Sequence, residues 1–252
     1  REKKNVMTAV MLRDMRTRFF DHGLGFLLVS LWPLAHMTIL LVIYKFMGRQ
    51  APYGDSLNVF FATGLIPTLL FMYVSRFMSL SLILNRPMLA FPVVNVLDIL
   101  AARAFLEIIA AALTLAFLIG ILWSLGDNPF PYNRDEAVLA YLAVVLLAIG
   151  MGVLAGVVVM FFKFFATVYA LSMIVVYITS GTLFVASALP DALAIPLSWN
   201  PVLQAVEWMR TAYYPSYSDR LLDKQYLVGF GLGSLCLGLL LERLFRRKML
   251  ES

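Results

Sequence analysis

Few side chains in this sequence could make or break bonds. The two histidines, His22 and His36, flank or begin the first apolar run and lack the H-E-x-x-H spacing that holds zinc on a helix face. No G-x-S-x-G elbow presents a nucleophilic serine, and no G-x-x-x-x-G-K-S/T loop could cradle the phosphates of ATP. The one cysteine, Cys236, lies inside the last apolar run; it excludes an intrachain disulfide and a cysteine-rich metal site, and reads as a small packing residue. Neither a catalytic constellation nor a metal site is expected. What stands out instead is charge in apolar surroundings, at Arg76 and Glu107. An unpaired charge at membrane depth costs at least about 2.5–3.5 kcal/mol on insertion scales, so each needs a partner. The two sit at similar depth on neighbouring antiparallel runs and could form a structural ion pair. Arg103, one turn from Glu107, is the alternative partner, although Arg preceding Glu at i, i+4 is the weaker order. Arg76 lining an anion path is the other reading.

The elements that carry these charges follow from composition. The chain has 252 residues, of which 62% are hydrophobic and 14% charged, more apolar surface than a soluble domain of this size could hide. Apolar runs of about 20 residues recur, the length that crosses a ~30 Å hydrocarbon core. The expectation is an all-α integral membrane protein of one domain, 1–252, with six transmembrane helices near 26–47, 57–82, 99–125, 137–161, 167–188 and 226–245. The basic N-terminal stretch is long and no small-residue cleavage site follows the first run, so no cleavable signal peptide is expected. No internal repeat, low-complexity tract or interdomain linker divides the chain, and nothing points to nucleic acid.

Within residues 1–22, Met7, Met11, Met15 and Phe19 recur at i+4, and Asp14 and Arg18 interrupt the pattern. This predicts an interfacial helix whose cations, among them Arg16 and Arg18, meet anionic headgroups or an anionic substrate. With both termini on the cytoplasmic side, thirteen Lys and Arg fall inside and six outside, the asymmetry that sets orientation. Outer aromatics including Tyr44, Trp123, Phe130 and Tyr132 fall where an interfacial belt would lie.

Two connecting stretches are unusual. Residues 83–107 carry Pro87 and Pro92, which break any continuous span. In the same stretch, Asn85, Arg86, Asn95 and Asp98 bring polar groups and Leu89 and Phe91 an apolar side. That composition suits either a short surface helix over 84–97 that faces a soluble partner or an ordinary turn. Residues 189–225 are long and too apolar for a solvated loop, and Pro190, Pro196, Pro201 and Pro215 cut them into short pieces. Asn200-Pro201 reads as a helix start, with Val202, Val206, Met209 and Tyr213 on one face, and the stretch is expected to form re-entrant helices at the outer mouth. Gly150, Gly152 and Gly156 in the fourth run predict close helix packing on one face.

Taken in order, LRDMRTRF (12–19), TGLIP (63–67), LNRPMLAFPVVNVLDILAAR (84–103), GMGVLAG (150–156), SGTLF (180–184), WNPVLQAVEWMR (199–210) and LERLFRRKM (241–249) resemble the permease subunit of a type-2 ABC exporter, in its capsular-polysaccharide branch. The resemblance covers nearly the whole chain. Gln204 departs from it, standing where relatives often carry His.

The resemblance implies a homodimer of this chain with two separate ATP-binding subunits. Those subunits would hold ATP and Mg, with no cofactor bound here. Residues 84–97 would be the coupling helix, with Asn85, Arg86, Pro87, Leu89, Phe91, Pro92, Asn95 and Asp98 at the ATPase. The cargo would be a lipid-linked polysaccharide leaving the bacterial inner membrane towards periplasmic and outer-membrane capsule export proteins. Residues expected along its path are Arg16 and Arg18 where it comes in, Arg76 deeper, and Trp199, Trp208 and Tyr213 near the exit; membrane anchoring is the other reading of each aromatic. Competing readings are the same architecture with O-antigen, teichoic acid, a drug or a lipid as cargo, an ATP-independent channel or secondary transporter, and a glycan-modifying or scaffolding protein.

Overall fold

Nine α-helices and no strand are found among the residues that the computed structural model describes, 2–18 and 24–251, with side chains over 6–15 and 31–249. In order they are α1 (Glu2–Arg18), α2 (Leu24–Phe46), α3 (Leu57–Leu84), α4 (Val96–Ser124), α5 (Arg134–Phe161), α6 (Phe165–Thr179), α7 (Asp191–Ser198), α8 (Pro201–Tyr213) and α9 (Lys224–Glu251). Four of them, α3, α4, α5 and α9, are long and apolar enough to cross a membrane. A helix satisfies its own backbone groups, which is what the hydrocarbon demands of any segment crossing it.

The core is built on α5, which lies between α3 and α9. Glycine permits both contacts, but not from one face. A methyl on Gly152 would overlap Met78 Cβ and lie 3.0 Å from the Ser75 carbonyl of α3. One on Gly156 would come within 3.2 Å of the Met78 carbonyl. Gly150 turns the other way, where a methyl would lie 2.6 Å from the Gly231 carbonyl of α9. Two positions along a helix are more than half a turn apart, so the G-x-G pair serves two neighbours and only Gly152 and Gly156 share a face.

Two expected elements are shorter in the structure. The run expected over 167–188 is helical only to Thr179, and a 15-residue helix rises roughly 22 Å. Gly181 then takes φ +73°, a left-handed turn that glycine adopts without strain. The freed hydroxyls bond one another: Thr182 Oγ1 lies 2.7 Å from both Ser180 Oγ and Thr68 Oγ1. The surface helix expected over 84–97 is a five-residue 3-10 turn, Arg86–Ala90, followed by bent chain. Phe91 is extended, with ψ 123°, because the residue before a proline is pushed out of the helical region.

Side-chain contacts sort the connections into two ends. At one end the α3–α4 turn, the α5–α6 turn and the last residues of α9 meet around a shared cavity. At the other, Asp127 accepts from Ser56 Oγ and Asn58 Nδ2 at 2.5 and 2.6 Å, Tyr213 donates to the Pro129 carbonyl at 2.9 Å, and the Asn133 amide donates to the Ala212 carbonyl at 2.9 Å.

Candidate functional site

The first end is held by α1. Asp14, which interrupts the methionine pattern, is buried there, while Met11 and Met15 pack on Leu106 and Ala110 of α4. Arg103 of α4 donates to Asp14 Oδ2 at 2.9 Å, and its Nε lies 2.9 Å from Glu107 Oε1. The three side chains are only 2%, 7% and 2% exposed, so two carboxylates flank one buried guanidinium. The Phe77 ring lies 5.5 Å from Arg103 and covers it. Next to Asp14, Arg13 donates to Asn85 Oδ1 at 3.2 Å. Consecutive residues of α1 therefore grip both helices that flank the 85–95 turn.

Arg76 and Glu107 are not brought together. Glu107 faces Arg103, its own neighbour one turn earlier, which reaches it without any loop to close. Arg76 is half-buried and donates to the Ala166 carbonyl in the first turn of α6.

The turn itself divides the eight residues expected at the ATPase. Asn85 is buried, donating to the Ser81 carbonyl at 3.0 Å while accepting Arg13, and so closes α3. Asp98 is buried and accepts the Asn95 amide at 3.1 Å, which starts α4. These hold the turn in shape. Pro87, Phe91, Pro92 and Asn95 are exposed, Phe91 by 60%, beside Val93 at 57%; Arg86 and Leu89 are half-buried.

The second end is organised by Arg210, the last residue of the WNPVLQAVEWMR stretch. Asn200 caps α8 by accepting the Val202 amide at 2.9 Å, Pro201 fills the first turn, and nearly the whole helix is buried. This carries Arg210 to the broken end of α6, where it donates to the carbonyls of Gly181, Thr182 and Phe184 at 2.9, 2.9 and 2.8 Å. Its guanidinium lies 4.2 Å over the Phe60 ring. Gly64 leaves the room, since a methyl there would be 2.9 Å from the Thr182 carbonyl and 3.0 Å from Arg210. Glu207, one turn back, accepts from the Tyr217 hydroxyl at 2.8 Å. Burial pushes its carboxyl above the usual carboxylate range, against the opposing pull of Tyr217 and Arg210.

The aromatics expected near the exit separate in the same way. Trp208 is buried and donates to Glu136 Oε2 at 2.5 Å, and Lys224 donates to the same oxygen at 2.6 Å while lying 5.1 Å over the indole. Tyr213 is half-buried. Only Trp199 of the three is open, 74% exposed. The side chains of Arg16 and Arg18 lie outside the described residues. Gln204 spans α7 and α9, donating to the Ser198 carbonyl and accepting the Asp223 amide, both at 2.7 Å.

No protein-family model matches the chain. Among characterised proteins, the polysialic acid transport protein KpsM of Escherichia coli is 30% identical over 250 residues, which cover 99% of this chain and 97% of KpsM. This chain belongs to the capsule polysaccharide export inner-membrane proteins. The Neisseria meningitidis member CtrC is 25% identical over 237 residues, covering 94% of this chain and 89% of its own. Haemophilus influenzae BexB is 23% identical over 244 residues, covering 96% and 91%.

In this capsule-export permease the motifs that carried the resemblance are the ones that meet in space. LRDMRTRF meets LNRPMLAFPVVNVLDILAAR through Arg13–Asn85 and Asp14–Arg103. TGLIP, SGTLF and WNPVLQAVEWMR meet at Gly64, the 181–184 turn and Arg210. Sequence reasoning named Arg103 only as an alternative and read Asp14 only as a break in the methionine pattern. The available signal was an acid on an otherwise apolar stripe, which points to a buried cation elsewhere in the chain.

Proposed function

We propose that this chain is the membrane-spanning subunit of an ATP-driven exporter that moves a lipid-linked capsular polysaccharide across the bacterial inner membrane. The observation that carries the reading is near-full-length similarity to KpsM. The chain works as a homodimer with two ATP-binding subunits, which hold ATP and Mg; it binds no cofactor and catalyses no reaction of its own. Six spans, α2, α3, α4, α5, α6 and α9, form one domain, with both termini cytoplasmic. The thirteen-to-six charge asymmetry supports that orientation. It puts the α3–α4 turn at the cytoplasmic end, where exposed Pro87, Phe91 and Pro92 suit docking to the ATPase. It puts α7 and α8 at the outer mouth as re-entrant helices, from which the glycan passes to periplasmic and outer-membrane partners. Arg16, Arg18, Arg76, Trp199 and Tyr213 remain the path candidates, while Trp208 is packed inside.

The test is conditional depletion of this chain followed by glycan staining of intact and permeabilised cells. Depletion is preferred to deletion because a blocked exporter can also shut down synthesis. Loss of surface glycan with an internal lipid-linked pool is the expected result, and its composition names the cargo. Unchanged surface capsule would reject the assignment.

A further inference from the structure

The Arg86–Ala90 turn, the α5–α6 turn and the end of α9 line an open cavity of about 530 Å³, within the roughly 300–1,000 Å³ of small-molecule sites. Two cations line it, Arg86 and Lys163, brought from connections far apart in sequence. Among the described residues neither side chain makes an ion pair or hydrogen bond and no carboxylate lines the cavity. The rest of the wall is apolar, with Ile83, Leu89 and Met249. Beyond it, the last turns of α9 add the exposed cations Arg243, Arg247 and Lys248.

The surroundings say what medium the cavity opens to. Phe162 and Phe164, on either side of Lys163, are 70% and 77% exposed, and Leu84 is 58% exposed. Large bare hydrophobes at the ends of helices long enough to cross the bilayer belong at acyl-chain level. A lysine between them keeps its stem in hydrocarbon and carries its ammonium up to the headgroups. A soluble acidic partner would have to match the two cations and also cover Phe162 and Phe164, whereas a lipid in the adjoining leaflet matches the cations where the acyl chains already cover the phenylalanines.

We propose that this cavity binds an anionic phospholipid, with its phosphate between Arg86 and Lys163 and the start of an acyl chain on Ile83, Leu89 and Met249. Basic pockets between transmembrane helices take such headgroups. The leaflet follows from the orientation proposed above, but the site needs only the family's membrane location. Because Arg86 opens the 3-10 turn, an occupied site steadies the turn whose other face carries Phe91 and Pro92.

The test uses the full chain purified in neutral detergent and mixed with dioleoylphosphatidylglycerol or dioleoylphosphatidylcholine, read by melting temperature and by lipid retained in native mass spectrometry. Phosphatidylglycerol is expected to raise the melting temperature and remain bound; phosphatidylcholine and inorganic phosphate are expected to do neither. Lys163→Ala should cut retention several-fold, Lys163→Arg should restore it, and Arg247→Ala, outside the cavity, should leave it intact. Equal retention of both lipids, equal protection by inorganic phosphate, or undiminished retention by Lys163→Ala would overturn the site. So would a Lys163→Ala chain that keeps its lipid but loses the ATP-binding subunit, which would assign the cations to a protein contact. None of these outcomes bears on the capsule assignment, which glycan staining tests separately.

Discussion

Arg103 and Arg210 are both buried cations, but their partners differ in kind. Arg103 has carboxylate partners, so removing it strands charge. Arg103→Met is expected to cost about 3–5 kcal/mol, the usual penalty for breaking a buried pair from one side, and to lower the melting temperature of the purified chain accordingly. Combining it with Asp14→Leu and Glu107→Met should recover most of that loss, because a buried ionic set replaced by packed apolar groups is often neutral. No recovery would show that the charges do more than compensate one another. Arg210 has backbone carbonyls as partners, and geometry is what matters there. Lysine keeps the charge but lacks the planar fork that spans Gly181, Thr182 and Phe184. Arg210→Lys should leave at least one carbonyl orphaned, at about 1–3 kcal/mol each. Faster proteolysis at residues 180–190 would register it, and an unchanged cleavage rate would mean that the turn holds without the fork.

At the scale of elements, backbone proximity does the work. The α3–α5 contact has no space for a side chain at Gly152, whereas a methyl on Gly120 of α4 meets nothing within 4 Å. Gly152→Ala should therefore cost about 1–3 kcal/mol by overpacking, while Gly120→Ala should be neutral or stabilising by up to about 1 kcal/mol through helix propensity. Folded yield and melting temperature distinguish the two, and equal behaviour would mean that α3 can move aside. The 85–95 turn separates framework from face. Asn85 and Asp98 close the helices around it, so changes there act through the fold. Phe91 is open, and Phe91→Asp should leave the melting temperature unchanged while reducing co-purification of the ATP-binding subunit. Normal co-purification would move the docking face elsewhere. The short α6 is held at its first turn by Arg76 and at its far turn by Arg210, and its outer face, at Leu171, Val175 and Ile178, is 60–64% exposed.

For the whole molecule, the contacts define two ends and the basic residues favour one of them as cytoplasmic. A Cys236→Ser background makes this measurable, because Cys236 is the chain's one thiol. A membrane-impermeant maleimide added to spheroplasts should label the Ser216→Cys variant and spare the Lys163→Cys variant. The reverse pattern would invert the topology. The cysteine positions are informative because Ser216 bonds Tyr53 at 2.8 Å at one end, while Lys163 lines the cavity at the other.

The sequence alone determined what depends on a single segment and its solvent. Long apolar runs announced membrane helices, the placing of lysine and arginine favoured an orientation, and Asn200-Pro201 announced the start of α8, because hydropathy and capping act over one helix. Ordered motifs along the chain pointed to the family. Tertiary structure decided what depends on which helices touch. The second carboxylate on Arg103 turned on α1 bringing Asp14 to it, and Arg76 was taken by the Ala166 carbonyl of α6 whatever its depth along its own run. The end of α6 at Thr179 turned on a glycine turn whose carbonyls are satisfied by an arginine 26–29 residues away. The two directions of the glycine pair turned on α5 lying between α3 and α9. In each case a buried polar group or a bare backbone must find its complement, and periodicity along one chain does not carry the identity of the helix that supplies it.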